Sequence, residues 1–220
     1  MPNPIKAVIW DLDGVILDSA DEHRRAWQRL AREEGIPMTD ADFWATFGKR
    51  NDDIFATLWV NLTPEQVKVL SDRKEQYFRE LIQQSATPLP GAIELMRSLR
   101  DSHFAQALAS STPIENINLI ANVLGLKQYL SILVSGETVA KGKPAPDIFL
   151  KAAAELNMTP YYCLVIEDAV AGVEAAHAAG MRCIAVAGNR DLPGLQKAEL
   201  MVKDLTEVNI ERIQQLGQHP

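Results

Sequence analysis

The spacing of apolar positions changes twice along the 220-residue chain. Residues 5–10, Ile-Lys-Ala-Val-Ile-Trp, form a short apolar run of the kind that makes a strand buried on both faces. From Ser19 to about residue 84 the period is helical. Ser19 and Glu22 have the spacing of a capping box, and His23, Trp27 and Leu30 share one face until Gly35 and Pro37 stop the helix. Thr39 with Asp42 opens a second short helix, and Ile54 and Leu58 mark a third. Thr63-Pro64-Glu65-Gln66 starts a fourth, with Pro at its first position. Its apolar stripe is Val67, Leu70, Tyr77, Phe78 and Leu81, with Arg73 and Lys74 read as solvated charges on the helix surface. No strand is expected here, and the stretch is long enough to be a small helical bundle.

Beyond Pro88-Leu-Pro-Gly91 the pattern alternates. Helices are expected over residues 92–100, 114–124, 146–156 and 170–179, and strands over 105–109, 130–134, 162–166, 183–186 and 200–202. Strands separated by helices argue for right-handed βαβ units and a parallel sheet. The expected fold is therefore α/β, a Rossmann-like three-layer core from residues 1–18 and 85–220. Residues 19–84 form a helical cap inserted over the strand ends. The polar tail 214–220 is expected to fray.

The polar residues of interest stand where strands end. The first strand closes in Asp11-Leu-Asp13, two carboxylates one residue apart, followed by Gly14 for the turn. Two acids so close repel one another, and a fold that keeps both ionised supplies a cation or leaves a proton on one. The second strand ends in Ser110-Ser111-Thr112. Thr112 and Glu115 have capping-box spacing, so these hydroxyls either cap the next helix or, with its N–H groups, bind an anion. Lys143 lies between prolines in Lys141-Gly-Lys143-Pro-Ala-Pro-Asp147, and the fourth strand ends in Glu167-Asp168. Carboxylates gathered at the mouth of a sheet make a hard oxygen site suited to Mg²⁺.

Composition narrows the partners. A net charge of −7 disfavours general attraction to nucleic acid or anionic lipid, so any anionic ligand would have to be held locally. No apolar run is long enough to span a bilayer, and residues 1–6 lack a signal-peptide core, which together suggest a cytoplasmic protein. Cys163 and Cys183 each open an apolar run, and reduced buried thiols are expected.

Asp11-Leu-Asp-Gly-Val15, Ser110, Lys143-Pro-Ala-Pro-Asp147 and Glu167-Asp168 occur in the order of the four motifs of the haloacid dehalogenase superfamily, which the chain resembles over its whole length. Within that superfamily it resembles the subgroup of β-phosphoglucomutase and phosphoglycolate phosphatase, with a helical cap between the first two motifs. The resemblance implies Asp11 as nucleophile and Asp13 as general acid and base. Ser110 would hold a phosphoryl oxygen and Lys143 would neutralise charge. Mg²⁺ would be held by Asp11, Asp13 through its main-chain oxygen, Glu167 and Asp168. It further implies a two-step displacement through an aspartyl-phosphate. Hydrolytic dehalogenases of the superfamily lack the second acid.

The cap resembles that of the mutases at Asp18–Trp27, where a His matching His23 positions the acid/base; a core or capping role for His23 stands beside this. Gly48, Lys49, Arg50 and Asn51 fall in the specificity loop, and Ser111 and Thr112 are further candidates for substrate binding. Asn51 stands where mutases carry an Arg for a second phosphate, and Pro113-Ile114 replaces their Lys-Asn. These departures favour a phosphatase of a small phosphorylated metabolite, a sugar or polyol phosphate. A β-phosphoglucomutase is the alternative, and a non-catalytic phospho-ligand-binding protein a further one. A monomer or weak dimer is expected.

Overall fold

Every strand of the central sheet runs parallel, in the order β3-β2-β1-β4-β5-β6, in a computed structural model that describes residues 4–59, 61–188 and 192–218. The strands are β1 (Ala7–Trp10), β2 (Ala105–Ser110), β3 (Ile132–Ser135), β4 (Cys163–Glu167), β5 (Arg182–Val186) and β6 (Leu200–Val202). β1 sits in the middle, paired with β2 on one side and β4 on the other, so both its edges and both its faces are covered. All four of its residues are buried. That explains a run with no polar alternation.

The two faces have separate cores. Val8, Trp10, Leu108 and Ile166 point to one, where Leu95, Met96 and Leu99 of α5 (Ala92–Asp101) and Ile117 and Ile120 of α6 (Ile114–Val123) meet them. Ala7, Ile9, Ala107 and Val165 point to the other, under Ile148 and Phe149 of α7 (Asp147–Glu155) and Val173 and Ala176 of α8 (Val170–Ala178). The fold is the expected Rossmann-like α/β sandwich. Trp10, fully buried, has a polar edge that must be satisfied. Its Nε1 donates to Gln106 Oε1 at 3.1 Å, and Gln106 Nε2 donates in turn to the Met96 carbonyl at 3.0 Å.

Between β1 and α5 the chain forms α1 (Ala20–Glu34), α2 (Asp40–Thr46), α3 (Asn51–Leu58) and α4 (Pro64–Ser85). Thr39–Asp42 and Thr63–Gln66 both close as reciprocal capping boxes. The chain passes to and from these helices on two adjacent segments. Leu17 and Pro88 form an antiparallel bridge, Leu89 N–H donates to Ile16 at 2.7 Å, and Ser85 Oγ donates to Glu22 at 2.5 Å.

The structure departs from the sequence reading in several places. Ser19 precedes α1 without capping it through its side chain. On α4 the buried residue near the end is Ile82, with Leu81 only half-buried, and Lys74 is 1% exposed. β3 starts two residues late because Tyr129 and Leu130 close a short helical turn after Leu126. The tail expected to fray is helical through residue 216, and residues 219–220 lie outside the described ones. Asn209 caps α9 (Ile210–Leu216), whose Ile213 is buried in the first core. Among the described residues no helix is long and apolar enough to cross a membrane.

Candidate active site

The carboxyl ends of β1, β2 and β4 face a cavity of about 590 Å³, and α1–α4 supply its other wall. Asp11 follows β1 directly, and its N–H donates to the Ile166 carbonyl at 2.9 Å, so the strand pairing itself fixes the residue beside β4. Lys143 Nζ reaches Asp11 Oδ1 at 2.5 Å and Glu167 Oε1 at 2.6 Å, all three residues being buried or nearly so. The remaining Glu167 oxygen accepts the N–H groups of Asp168 and Ala169, both at 2.7 Å, where the chain turns into α8.

Two glycines make this packing possible. Gly14 has φ +80°, and a Cβ there would stand 2.0 Å from Asp168 Oδ2. A Cβ on Gly172 would stand 1.8 Å from Glu167 Oε1. Neither position tolerates a side chain while the two acids stay where they are.

Asp11, Glu167 and Asp168 offer oxygens within 4.8 Å of one another, with one ammonium, Lys143, between two of them. Burial pushes the Asp11 carboxyl well above the ordinary carboxylate range, and Glu167, Asp168 and Asp13 push the same way against Lys143. An all-oxygen donor set with surplus negative charge fits a hard divalent cation and offers no sulfur or imidazole for zinc. Such an ion would return Asp11 to its ionised form. The side chain of Asp13 takes no part in this group, in contrast to Asp11.

Asp13 instead faces the second strand and the helices. Thr112 Oγ1 donates to its Oδ2 at 2.8 Å, Ser19 Oγ donates to its Oδ1, and His23 Nε2 lies 3.7 Å from Oδ1. Burial alone would raise the Asp13 carboxyl, but His23, Ser19 and Thr112 outweigh it and bring it down to about 2. Asp13 is a carboxylate in this arrangement. Burial lowers the Lys143 ammonium, but Asp11 and Glu167 outweigh it and raise the group above its ordinary value.

The capping box expected at Thr112 and Glu115 is absent. Pro113 is the N-cap of α6, and Glu137 accepts the Ile114 N–H at 3.0 Å, which leaves the Thr112 hydroxyl to Asp13. Ser110 is buried at the end of β2, its Oγ accepting the Thr112 N–H at 3.1 Å, and Ser110 and Ser111 both line the cavity.

From the helical side, Gly48 and Lys49 of the α2–α3 connection, Asn51 and His23 line the cavity, whereas Arg50 turns aside. Its Nε donates to Asp53 at 3.2 Å and it packs against Gly142. His23 stacks on Phe78 with ring centroids 3.9 Å apart. Its Nδ1 is 2.7 Å from Lys74 Nζ; an ammonium has no acceptor, so Nδ1 accepts and the ring proton is assigned to Nε2, towards Asp13. Lys74, read from the sequence as a solvated surface charge, lines the cavity, as does its neighbour Glu75. The signal existed in the spacing, because Lys74 lies one turn from Leu70 and one from Phe78 on the buried stripe.

A family model for haloacid dehalogenase-like hydrolases matches residues 5–180. The chain is 36% identical to a β-phosphoglucomutase from Bacillus subtilis, over 94% of this chain and 93% of that one. It is 32% identical to the fructose-1-phosphate phosphatase YqaB of Escherichia coli, over 81% and 95%. A crystal structure of a β-phosphoglucomutase from Clostridium difficile superposes with a TM-score of 0.86 at 29% identity, covering 97% of both chains. The protein belongs to the haloacid dehalogenase-like hydrolases, in the branch that holds β-phosphoglucomutases and sugar phosphate phosphatases. Membership of a hydrolase family removes the non-catalytic alternative.

Proposed function

We propose that this enzyme, a phosphoric monoester hydrolase of the haloacid dehalogenase family, cleaves a sugar or polyol monophosphate through an aspartyl-phosphate on Asp11, with Mg²⁺ and in the cytoplasm. The observation that carries the reading is the Lys143–Asp11 pair, 2.5 Å apart at the floor of the cavity and bordered by Glu167 and Asp168. A cavity of 590 Å³ suits a ligand of this size, small-molecule sites spanning about 300–1,000 Å³.

In this reading residues 19–84 act as the cap. Asp11 attacks phosphorus, the ester P–O bond breaks, and the leaving oxygen takes a proton from Asp13. Water then attacks the aspartyl-phosphate and gives its proton to Asp13, which releases inorganic phosphate and restores Asp11. Lys143 neutralises charge on the nucleophile and on the transferring group. Mg²⁺ held by Asp11, Asp168, the Asp13 main-chain oxygen and Glu167 would neutralise the phosphoryl oxygens. The ionised Asp13 described above is the form that the water step needs. For the first step it must exchange Ser19 and Thr112 for the leaving oxygen, which removes two bonds that hold its proton off. Ser110 and Ser111 are the hydroxyls open to the phosphoryl group while Thr112 holds Asp13, and Thr112 is freed only when Asp13 turns to the leaving oxygen.

A second reading, a β-phosphoglucomutase, has the 36% identical relative in its favour. Against it, the position expected to grip a second phosphate is Asn51, whose amide is engaged with Glu75 at 2.8 Å. Incubation of the purified enzyme with p-nitrophenyl phosphate and a panel of sugar and polyol phosphates tests both. Release of inorganic phosphate is expected. Isomerisation of β-glucose 1-phosphate without phosphate release would overturn the phosphatase reading in favour of the mutase.

A further inference from the structure

Glu75 is the one carboxylate lining the cavity on its helical wall, among the described residues, and it is 4% exposed. Its Oε1 accepts from Asn51 Nδ2 and from Lys74 Nζ, both at 2.8 Å, and its Oε2 accepts from Asn116 Nδ2 at 2.5 Å. Asn116 belongs to α6 of the sheet layer, and its Oδ1 accepts from Arg79 Nη1 at 2.9 Å, so the carboxylate is fixed from both the helical layer and the sheet layer. A carboxylate has about four acceptor positions, and three are filled. The remaining one, on Oε2, can take a neutral O–H.

The surroundings define what else fits. On the same helical side stand Trp27, Phe43, Trp44, Phe47 and Ile54, a largely aromatic surface. Lys74 is shared between Glu75 and His23 and its charge is already matched. The cation left at the cavity rim among the described residues is Lys49, which is exposed. Burial pushes the Glu75 carboxyl up, but Lys74 and Asn51 outweigh it and hold it below its ordinary value. The group is ionised at neutral pH.

We propose that Glu75 determines leaving-group specificity, accepting a hydroxyl of a polyhydroxylated monophosphate and rejecting any substrate that brings a second phosphate to the helical wall. This rests on the phosphatase reading of the site. The rejection follows from the hydrogen-bond set, because a phosphate dianion has no proton to give the remaining Oε2 position and Lys74, the cation beside it, is already held by Glu75 and His23. The acceptance follows from geometry, because a hydroxyl completes the Glu75 acceptor set and an apolar sugar or polyol backbone face can lie on the aromatic surface.

The test compares kcat/KM for glucose 6-phosphate and glucose 1,6-bisphosphate, each normalised to p-nitrophenyl phosphate on the same variant. Wild type is expected to favour the monophosphate by about tenfold or more, and Glu75→Gln, which keeps the shape without the charge, is expected to lose most of that preference. Glu75→Asp, retaining the charge, should keep it. Equal loss on all three substrates in Glu75→Gln, with the ratio unchanged, would mean a purely structural role and overturn the proposal. Should Glu75→Gln not fold, Asn51→Lys places a compensating cation against the same carboxylate and is expected to shift the ratio the same way. If wild type turns over none of the three, the phosphatase reading fails by itself. Calorimetric binding of the two glucose phosphates to Asp11→Asn, with and without Glu75→Gln, then reads the same ratio, and equal affinities in the presence of Glu75 would refute the discrimination.

Discussion

Thr112 gives its hydroxyl to Asp13 Oδ2 at 2.8 Å, across the seam between the first and second strands. The bond settles what that hydroxyl does in this arrangement. It neither caps the helix that follows nor stands open to a phosphate, and it helps to hold Asp13 as a carboxylate.

Replacing Thr112 by Val keeps the shape and removes the donor, so the Asp13 carboxyl should rise from about 2 towards 3.8, the value of an unperturbed aspartate. A folded-state value below the unfolded one stabilises the protein above pH 3.8, and that contribution fades as the pH falls through about 2. The variant should therefore be less stable by about 1 kcal/mol at pH 7, with the gap to wild type closing on acidification. Urea titrations at pH 7 and pH 3 measure this. The acid limb of the kcat profile should also move to higher pH. An unmoved limb together with weaker inhibition by inorganic phosphate would mean that Thr112 grips the phosphoryl group instead.

Asp11→Asn should lower turnover by roughly four orders of magnitude or more, as removal of a nucleophile does. Stability should not suffer in proportion. Asp11 is pushed towards its neutral form by burial and by three neighbouring acids, and Lys143 keeps Glu167 as partner, so an amide relieves repulsion. The expected melting temperature without added metal is equal to or above that of wild type. Labelled substrate should leave no acid-stable phosphoenzyme in the variant, and near wild-type turnover would exclude Asp11 as nucleophile.

Chelation should inactivate the enzyme and Mg²⁺ restore it, while Ca²⁺, with looser and longer coordination, should inhibit. At a concentration 100 times its dissociation constant the metal should add about 2.7 kcal/mol to stability. Gly14→Ala provides the structural control. Its Cβ would stand 2.0 Å from Asp168 Oδ2 and φ is +80°, so Asp168 must move out of the acidic group. The Mg²⁺-dependent rise in melting temperature should vanish in that variant, and its persistence would show that Asp168 is dispensable for the metal.

Much of this was legible in the chain, for identifiable reasons. β1 could be read because a central parallel strand buries both faces and tolerates no polar residue before Asp11. Asp11, Lys143, Glu167 and Asp168 could be placed together because each stands at or after a strand end, and a parallel sheet brings those ends to one edge. The roles of hydroxyls were not legible. Ser19 and Thr112 sit where a helix cap would, and only the fold reveals Asp13 as the competing acceptor. Glu137 is the reason Thr112 can be released, and no local pattern links residue 137 to the start of α6. Lys74 and Glu75 escaped for another reason. The charge of Lys74 suggested solvent, although the stripe through Leu70 and Phe78 runs over it, and the burial of both residues depends on His23, Asn51 and Asn116 arriving from elsewhere in the sequence.

Lys49 and Arg50, neighbours in the connection between α2 and α3, should behave differently. Lys49 is exposed at the rim of the cavity, so it can meet the leaving group. Arg50 pairs with Asp53 at 3.2 Å, with its Nε 3.0 Å from where a Cβ on Gly142 would stand, in the turn that carries Lys143. It holds the loop against the sheet layer. Lys49→Ala should change kcat/KM unequally across sugar phosphates, by about three- to tenfold, and leave p-nitrophenyl phosphate nearly untouched, because an aryl leaving group has no hydroxyls to contact. Arg50→Ala should lower kcat on sugar phosphates by a similar factor for all of them, since what it weakens is closure over the site. Steady-state kinetics on four or more sugar phosphates separates the two patterns. A uniform effect from Lys49 with a selective one from Arg50 would place the specificity contact on the wrong neighbour, and would require Arg50 to leave Asp53 and turn into the cavity when substrate binds.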